Sequence, residues 1–113
     1  MKHQFEIWLV KLNPSKGTEA GKIRPAVVIQ TNLLNQADHP STLICPITSQ
    51  LSPKENILRV KVSPVKTGLT QKSEILVDQI RAIDNRRFLE KLGDLPPTKR
   101  LELLQKLEAI LDL

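Results

Sequence analysis

The stretch RPAVVIQ, residues 24–30, constrains the fold more than any other part of the chain. Residues 25–31 read as a strand whose apolar run does not alternate with polar residues. That is the pattern of a strand covered on both faces and flanked on both edges, so a sheet must be built around it. Arg24 stands at the mouth of this strand, directly before Pro25. Proline holds the residue before it extended, so the backbone of Arg24 is aimed rather than loose.

The rest of the chain supplies partners for that strand. FEIWLVKL, residues 5–12, is a first strand, ended by Asn13 and Pro14. NPSKGTEAGKI (13–23) and NLLNQADHPS (32–41) read as loops. TLICPITSQ (42–50) is a third strand, and Pro46 within it predicts an edge or a bulge, because proline cannot donate to a ladder. LRVKV (58–62) alternates, with Leu58, Val60 and Val62 toward a core and Arg59 and Lys61 toward solvent. EILVDQIRAI (74–83) reads as the last long strand. Asp84 then caps a short helical turn over 85–91 that Gly93 closes.

After Pro96 and Pro97 the periodicity changes. TKRLELLQKLEAILDL reads as one helix with Thr98 as its N-cap, and Leu103, Leu104, Leu107, Ile110 and Leu111 fall on one stripe. The stripe reads first as a helix laid over the sheet; the alternative is that part of it meets a partner subunit. About five short antiparallel strands followed by one helix make a mainly β fold, a small barrel or strongly bent sheet. The length, 113 residues, suits a single domain over 1–113.

Charge and chemistry narrow the function. Seventeen basic residues against 12 acidic ones give a formal charge of +5, which favours an anionic partner such as nucleic acid. Phe5, Trp8 and Phe88 are the whole aromatic complement, too few for a base-stacking sheet. Cys45 stands alone in an apolar stretch, giving no intrachain disulfide and no zinc set, and reads as a small buried hydrophobe. No segment approaches the roughly 20 apolar residues of a membrane span. A soluble, cytoplasmic protein without membrane, metal or cofactor is expected. No glycine-rich phosphate loop, HExxH or G-x-S-x-G is present. His3 lies near a terminus and His39 stands in a loop beside no identifiable carboxylate partner, so neither is favoured as a general base.

What remains is polar chemistry at strand ends. Arg24 opens one strand, Thr48, Ser49 and Gln50 close another, and Gln79 and Arg81 share a face of the last. Singly they read as a rim charge, a good strand former and a wet sheet face. Together they assemble guanidinium forks, a hydroxyl and an amide, the groups that bind phosphate.

LVKLNPSKGTEAGKIRPAVVIQ, CPITSQ and LVDQIRAID, in this order and spacing, resemble the MazF/PemK family of toxin endoribonucleases, over nearly the whole chain. The resemblance implies a small SH3-like barrel with a C-terminal helix. It also implies metal-independent cleavage of single-stranded RNA, a homodimer, and an antitoxin whose tail occupies the RNA groove. The family's catalytic arginine and threonine fall on Arg24 and Thr48, and its loop acid falls on Glu19. Its glutamine and arginine fall on Gln79 and Arg81. Phe5 and Glu6 stand where the family often has Gly-Asp, Lys11 where it often has an acid, and Ala20 where it often has glutamine.

The implied chemistry is plausible physically. The RNA 2′-hydroxyl attacks the adjacent phosphorus, leaving a 2′,3′-cyclic phosphate and a 5′-hydroxyl. The protein must align the attack, move protons and stabilise charge on the phosphoryl oxygens. A fixed guanidinium at Arg24 suits charge stabilisation, and Thr48 can donate to the same group. A guanidinium is a poor proton acceptor at neutral pH, so Glu19 is the candidate to position Arg24 or take a proton. Lys16, Lys22 and Lys54 would contact phosphates, and amides such as Gln50 would read exposed bases. Two further readings stay open on sequence alone: a non-enzymatic toxin of this architecture that binds a protein such as gyrase, and an inactive RNA-binding module.

Overall fold

The computed structural model describes residues 2–12 and 22–113. They form seven strands: β1 (Glu6–Lys11), β2 (Ile23–Val28), β3 (Ser41–Thr48), β4 (Arg59–Val62), β5 (Ser73–Leu76), β6 (Arg81–Asp84) and β7 (Phe88–Asp94). Two helices join them, α1 (Asn32–Gln36) and α2 (Pro97–Leu111). Every strand pairing is antiparallel, in the order β4-β5-β3-β2-β1-β7, with β6 also on β3. The mainly β architecture with a C-terminal helix is as expected, but the sheet does not close into a complete barrel: β4 and β7 end its strand path on either side of a seam, and β6 pairs with β3 alone. Across that seam the Asp94 N–H donates to the Lys66 carbonyl at 3.1 Å.

β2 is central, as its apolar run predicts, with β1 on one side and β3 on the other. Its Val27 packs in the main core with Ile7, Cys45, Ile47, Val60, Ile75, Val77 and Leu95, while Ala26 and Val28 belong to a second cluster with Val10, Leu12, Ile44 and Ile83. Alternate residues of one strand thus feed opposite faces. Trp8 and Phe88 cover the second cluster, ring edge to ring face with centroids 5.8 Å apart. Leu103 and Leu107 of α2 close the main core, with Ile110 half-buried beside them, whereas Leu104 and Leu111 of the same stripe are exposed. Cys45 is fully buried, and burial together with Asp78 pushes its thiol up to about 12, so it behaves as a small hydrophobe.

Several sequence expectations are corrected. Pro46 does not mark an edge: β3 is central. It lies between Ile44, which pairs with Arg81 of β6, and Ile47, which pairs with Ile75 of β5. Its missing N–H therefore falls where that side of β3 changes partner. For the same reason 74–83 is not one strand. A 3₁₀ turn at Val77–Gln79 divides it into β5 and β6. Phe88–Asp94 is a strand, and only Asn85–Arg87 is helical, capped by the Asp84 carboxylate accepting from the Arg86 N–H. Residues 32–36 form a short helix rather than loop, with the Thr31 hydroxyl accepting from the Leu33 N–H. Helix α2 begins at Pro97, which presets the helical φ of the first turn, so Thr98 is inside the helix and not its cap.

Candidate active site

The β2–β3 register ends at Ala26 opposite Pro46. Continued by two residues it sets Arg24 opposite Thr48, and the two-residue pleat puts both side chains on the face that carries Ala26, Val28 and Ile44. On the other side of β3, Arg81 opposes Ile44 and so emerges from that same face. Here the apolar cluster gives way to polar groups. Two adjoining cavities of about 540 and 380 Å³ meet there, and Lys22, Arg24, Thr48 and Gln50 line both. Ser49 lines the first; Arg59, Gln79 and Arg81 line the second.

Of the residues singled out in the sequence, Lys22, Arg24, Thr48, Ser49, Gln50, Gln79 and Arg81 lie along this cleft, though the grouping of Gln79 with Arg81 arises differently from the shared strand face expected of it. Gln79 sits in the 3₁₀ turn and Arg81 in β6, and the turn brings both to the rim. Lys54 is exposed on the β3–β4 loop and is not among the residues lining the cleft. Lys16 and Glu19 lie outside the described residues. The ends of their segment, Leu12 and Lys22, both line the cleft and are tied by a 2.8 Å hydrogen bond from the Leu12 N–H to the Lys22 carbonyl. Arg87 adds a 2.6 Å bond to the Leu12 carbonyl.

Two features decide what this cleft can do. Its described lining holds four cations, Lys22, Arg24, Arg59 and Arg81, and no carboxylate or histidine. Only Arg59 has a carboxylate partner in the described structure, Glu74 at 2.9 Å. Such a surface attracts an anion, and among the described residues no acid lines it to repel one. The second feature is Thr48. Its Oγ1 accepts the Gln50 N–H at 3.1 Å, which fixes the oxygen and leaves the hydroxyl hydrogen to donate elsewhere. Among the described residues no group of three or more His, Cys, Asp or Glu converges to hold a metal ion. His3 is instead 3.3 Å from Glu6, and His39 is exposed in the loop before β3; neither lines the cleft.

Sequence reasoning missed Arg59 and Glu74. Arg59 was expected to face solvent from an alternating strand, yet it is half-buried against Glu74, a carboxylate with no exposed surface. The two are diagonal neighbours across β4 and β5, a relation that exists only once the register pairs Arg59 with Leu76 and Lys61 with Glu74.

A family model of PemK-like, MazF-like toxins of type II toxin–antitoxin systems matches residues 3–111. The protein named Endoribonuclease MazF of Staphylococcus epidermidis is 32% identical over 108 residues, 96% of this chain and 89% of its own length. Its namesake in Staphylococcus saprophyticus is 32% identical over 113 residues, 100% of this chain and 93% of its own. Among solved structures, MazE-MazF (Form-II) of Deinococcus radiodurans superposes with a TM-score of 0.81 at 26% identity, covering 99% of this chain and 96% of that one. An endoribonuclease in complex with its cognate antitoxin from a mycobacterial species has the same fold, with a TM-score of 0.80 at 16% identity over 100% of this chain and 97% of that one. The chain belongs to the PemK-like, MazF-like toxins of type II toxin–antitoxin systems.

Proposed function

We propose that this protein is a sequence-selective, metal-independent endoribonuclease toxin that cleaves single-stranded RNA, works as a homodimer and is neutralised by an antitoxin. The observation that carries the reading is the cleft itself: Arg24 and Thr48 at the open ends of neighbouring strands, where Lys22, Arg24 and Arg81 have no carboxylate partner among the described residues. The relatives named Endoribonuclease MazF and the antitoxin-bound neighbours support it.

In this reading Arg24 grips the scissile phosphate and gains value as negative charge develops on its oxygens. Thr48, with its oxygen held by Gln50, donates its hydroxyl hydrogen to the same phosphate. The RNA 2′-hydroxyl attacks the phosphorus as the bond to the departing 5′-oxygen breaks, giving a 2′,3′-cyclic phosphate and a 5′-hydroxyl. Two protons move: one leaves the 2′-hydroxyl and one reaches the 5′-oxygen. The described lining holds no carboxylate or histidine to carry them, which leaves Glu19, on the segment whose ends form the rim, as the proposed proton carrier. Gln50, Ser49, Gln79 and Arg81 hold flanking nucleotides, together with Lys16 and Lys22. An antitoxin with an acidic tail would compete for the same charge.

The test is cleavage of a long single-stranded RNA in EDTA, with the new ends mapped. Wild type should cut at discrete sites, and Arg24→Ala and Thr48→Ala should each lose at least about 100-fold in rate, the usual scale for one transition-state donor. Glu19→Gln at the wild-type rate would remove Glu19 from the mechanism. Folded wild type that leaves several RNAs intact would sink the nuclease reading.

A further inference from the structure

Glu74 is a charged side chain with no exposed surface, and it lines no part of the cleft. Its Oε1 accepts the Ser52 N–H and the Arg59 Nη1–H, each at 2.9 Å, and its Oε2 lies 3.3 Å from the Ser52 hydroxyl. Burial pushes its carboxyl up, but the bonds from Ser52 and Arg59 outweigh that and hold it below its ordinary value. Arg59 Nη1 also donates to the Gln50 carbonyl at 3.0 Å. The Gln50 N–H in turn donates to Thr48 Oγ1. One continuous path therefore runs from Glu74 through Arg59 and the Gln50 main chain to the Thr48 hydroxyl.

The same loop, residues 49–58, is fastened at its other end. Lys106 of α2 reaches the Arg59 carbonyl at 2.6 Å and the Asn56 carbonyl at 3.4 Å, steadied by Glu102 at 3.1 Å. Most of these bonds land on main-chain atoms of the loop or its hinge, not on a neighbouring strand. A buried ion pair adds little net stability over well-packed apolar residues of similar volume, so stability alone does not account for this one. What the pair supplies is geometry.

We propose that Glu74 and Arg59 form a buried latch that positions Gln50 and the Thr48 hydroxyl, and through them sets which RNA sequences the cleft cuts. Both are positioning residues. The proposal rests on the nuclease reading, and its test separates the two. Glu74→Gln substitutes no residue that lines the cleft, so its effect on cutting runs through its partners Arg59 and Ser52. Arg59→Met with Glu74→Leu removes both charges and recovers stability, because no buried charge is left unpaired.

Each variant is read by its melting temperature, amide hydrogen exchange at Gln50 and Ser52, kcat and KM on one RNA, and the mapped cut sites. The expected result for the double variant is a melting temperature near wild type, with exchange at both amides at least about 10-fold faster. Its kcat should fall at least about 10-fold with KM changed less, and cuts should spread to sequences the wild type spares. Glu74→Gln should show the same directions. A stable double variant with wild-type exchange, kcat and cut sites overturns the latch. If that variant fails to fold, Glu74→Gln alone decides by the same readouts. Wild type that cuts no RNA removes the nuclease reading, and the amide exchange still decides whether the pair holds the loop.

Discussion

Glu6 is kept charged inside the fold by its immediate neighbours. It is buried, and burial raises a carboxyl pKa, yet donors from the Trp8 indole at 3.0 Å, the His3 N–H at 2.9 Å and the Lys91 ammonium at 3.1 Å bring it down to about 2. A folded-state pKa below the unfolded value of 4.5 means that folding favours the ionised form. The stabilisation is therefore complete above about pH 4.5 and lost as the pH falls toward 2, on the order of 3 kcal/mol in all. Glu6→Gln should be less stable than wild type by about 2–3 kcal/mol at pH 7 and nearly equal to it at pH 2. Urea unfolding at pH 7, 4 and 2.5 measures this, and parallel pH dependences for the two proteins would refute it. Phe5, just before, shows why single residues near a strand end are hard to read. The sequence places it in the first strand, but its φ is +71°, a left-handed backbone that costs a non-glycine residue about 1–2 kcal/mol. Packing of its ring against the main core and beneath the Arg100 guanidinium, 5.4 Å from the centroid, offsets that cost. Neither contact is visible before the chain is folded.

The seam of the sheet turns on two glycines from different elements. Gly68, with φ +75°, precedes β5, and Gly93 lies in β7. A Cβ on Gly93 would sit 2.5 Å from the Thr67 carbonyl carbon and 2.6 Å from the Lys66 carbonyl oxygen. A Cβ on Gly68 would meet the Leu92 carbonyl even more closely. Both obstacles are backbone, so no side chain can swing aside. Gly93→Ala should cost about 3 kcal/mol, at the upper end for overpacking, and lower the melting temperature by about 10 °C. A thermal shift within about 2 °C of wild type would show that the seam yields. The sequence offered Gly93 as a helix terminator because a glycine after seven residues with mixed pattern looks the same in either role. The residues that continue on β2 and β4 were legible, since an apolar run and a clean alternation each encode burial directly. What failed were elements set by partners. The turn at Val77–Gln79 exists because β3 exchanges β6 for β5 at Pro46, and no local pattern in EILVDQIRAI announces that exchange. The site divides in the same way. Arg24, Thr48, Gln50, Gln79 and Arg81 were legible as polar groups at strand ends, whereas the Arg59–Glu74 pair depends on a strand register.

Charge acts over the whole molecule. The net +5 is spread over the chain, but at the cleft it becomes local: Lys22, Arg24 and Arg81 face the cavity, while Arg59 is engaged by Glu74. Each cation that neutralises a phosphate of a single strand releases counterions, and log K falls with log salt by about 0.7 per contact. Three such contacts give a slope of about −2, steeper if Lys16 or a second protomer adds its own. Binding is best measured with Thr48→Ala, which keeps every cation and should cut at least about 100-fold more slowly. In that background Arg81→Ala should weaken RNA binding and reduce the slope by about 0.7. Lys54→Ala provides the contrast, because Lys54 is as charged as Arg81 but lies outside the cleft lining. If RNA follows the cleft, the Lys54 variant keeps the parent slope while the Arg81 variant loses one contact. Equal losses from both would mean that the whole basic surface, rather than the cleft, holds the RNA, and that the path of the strand extends over the β3–β4 loop.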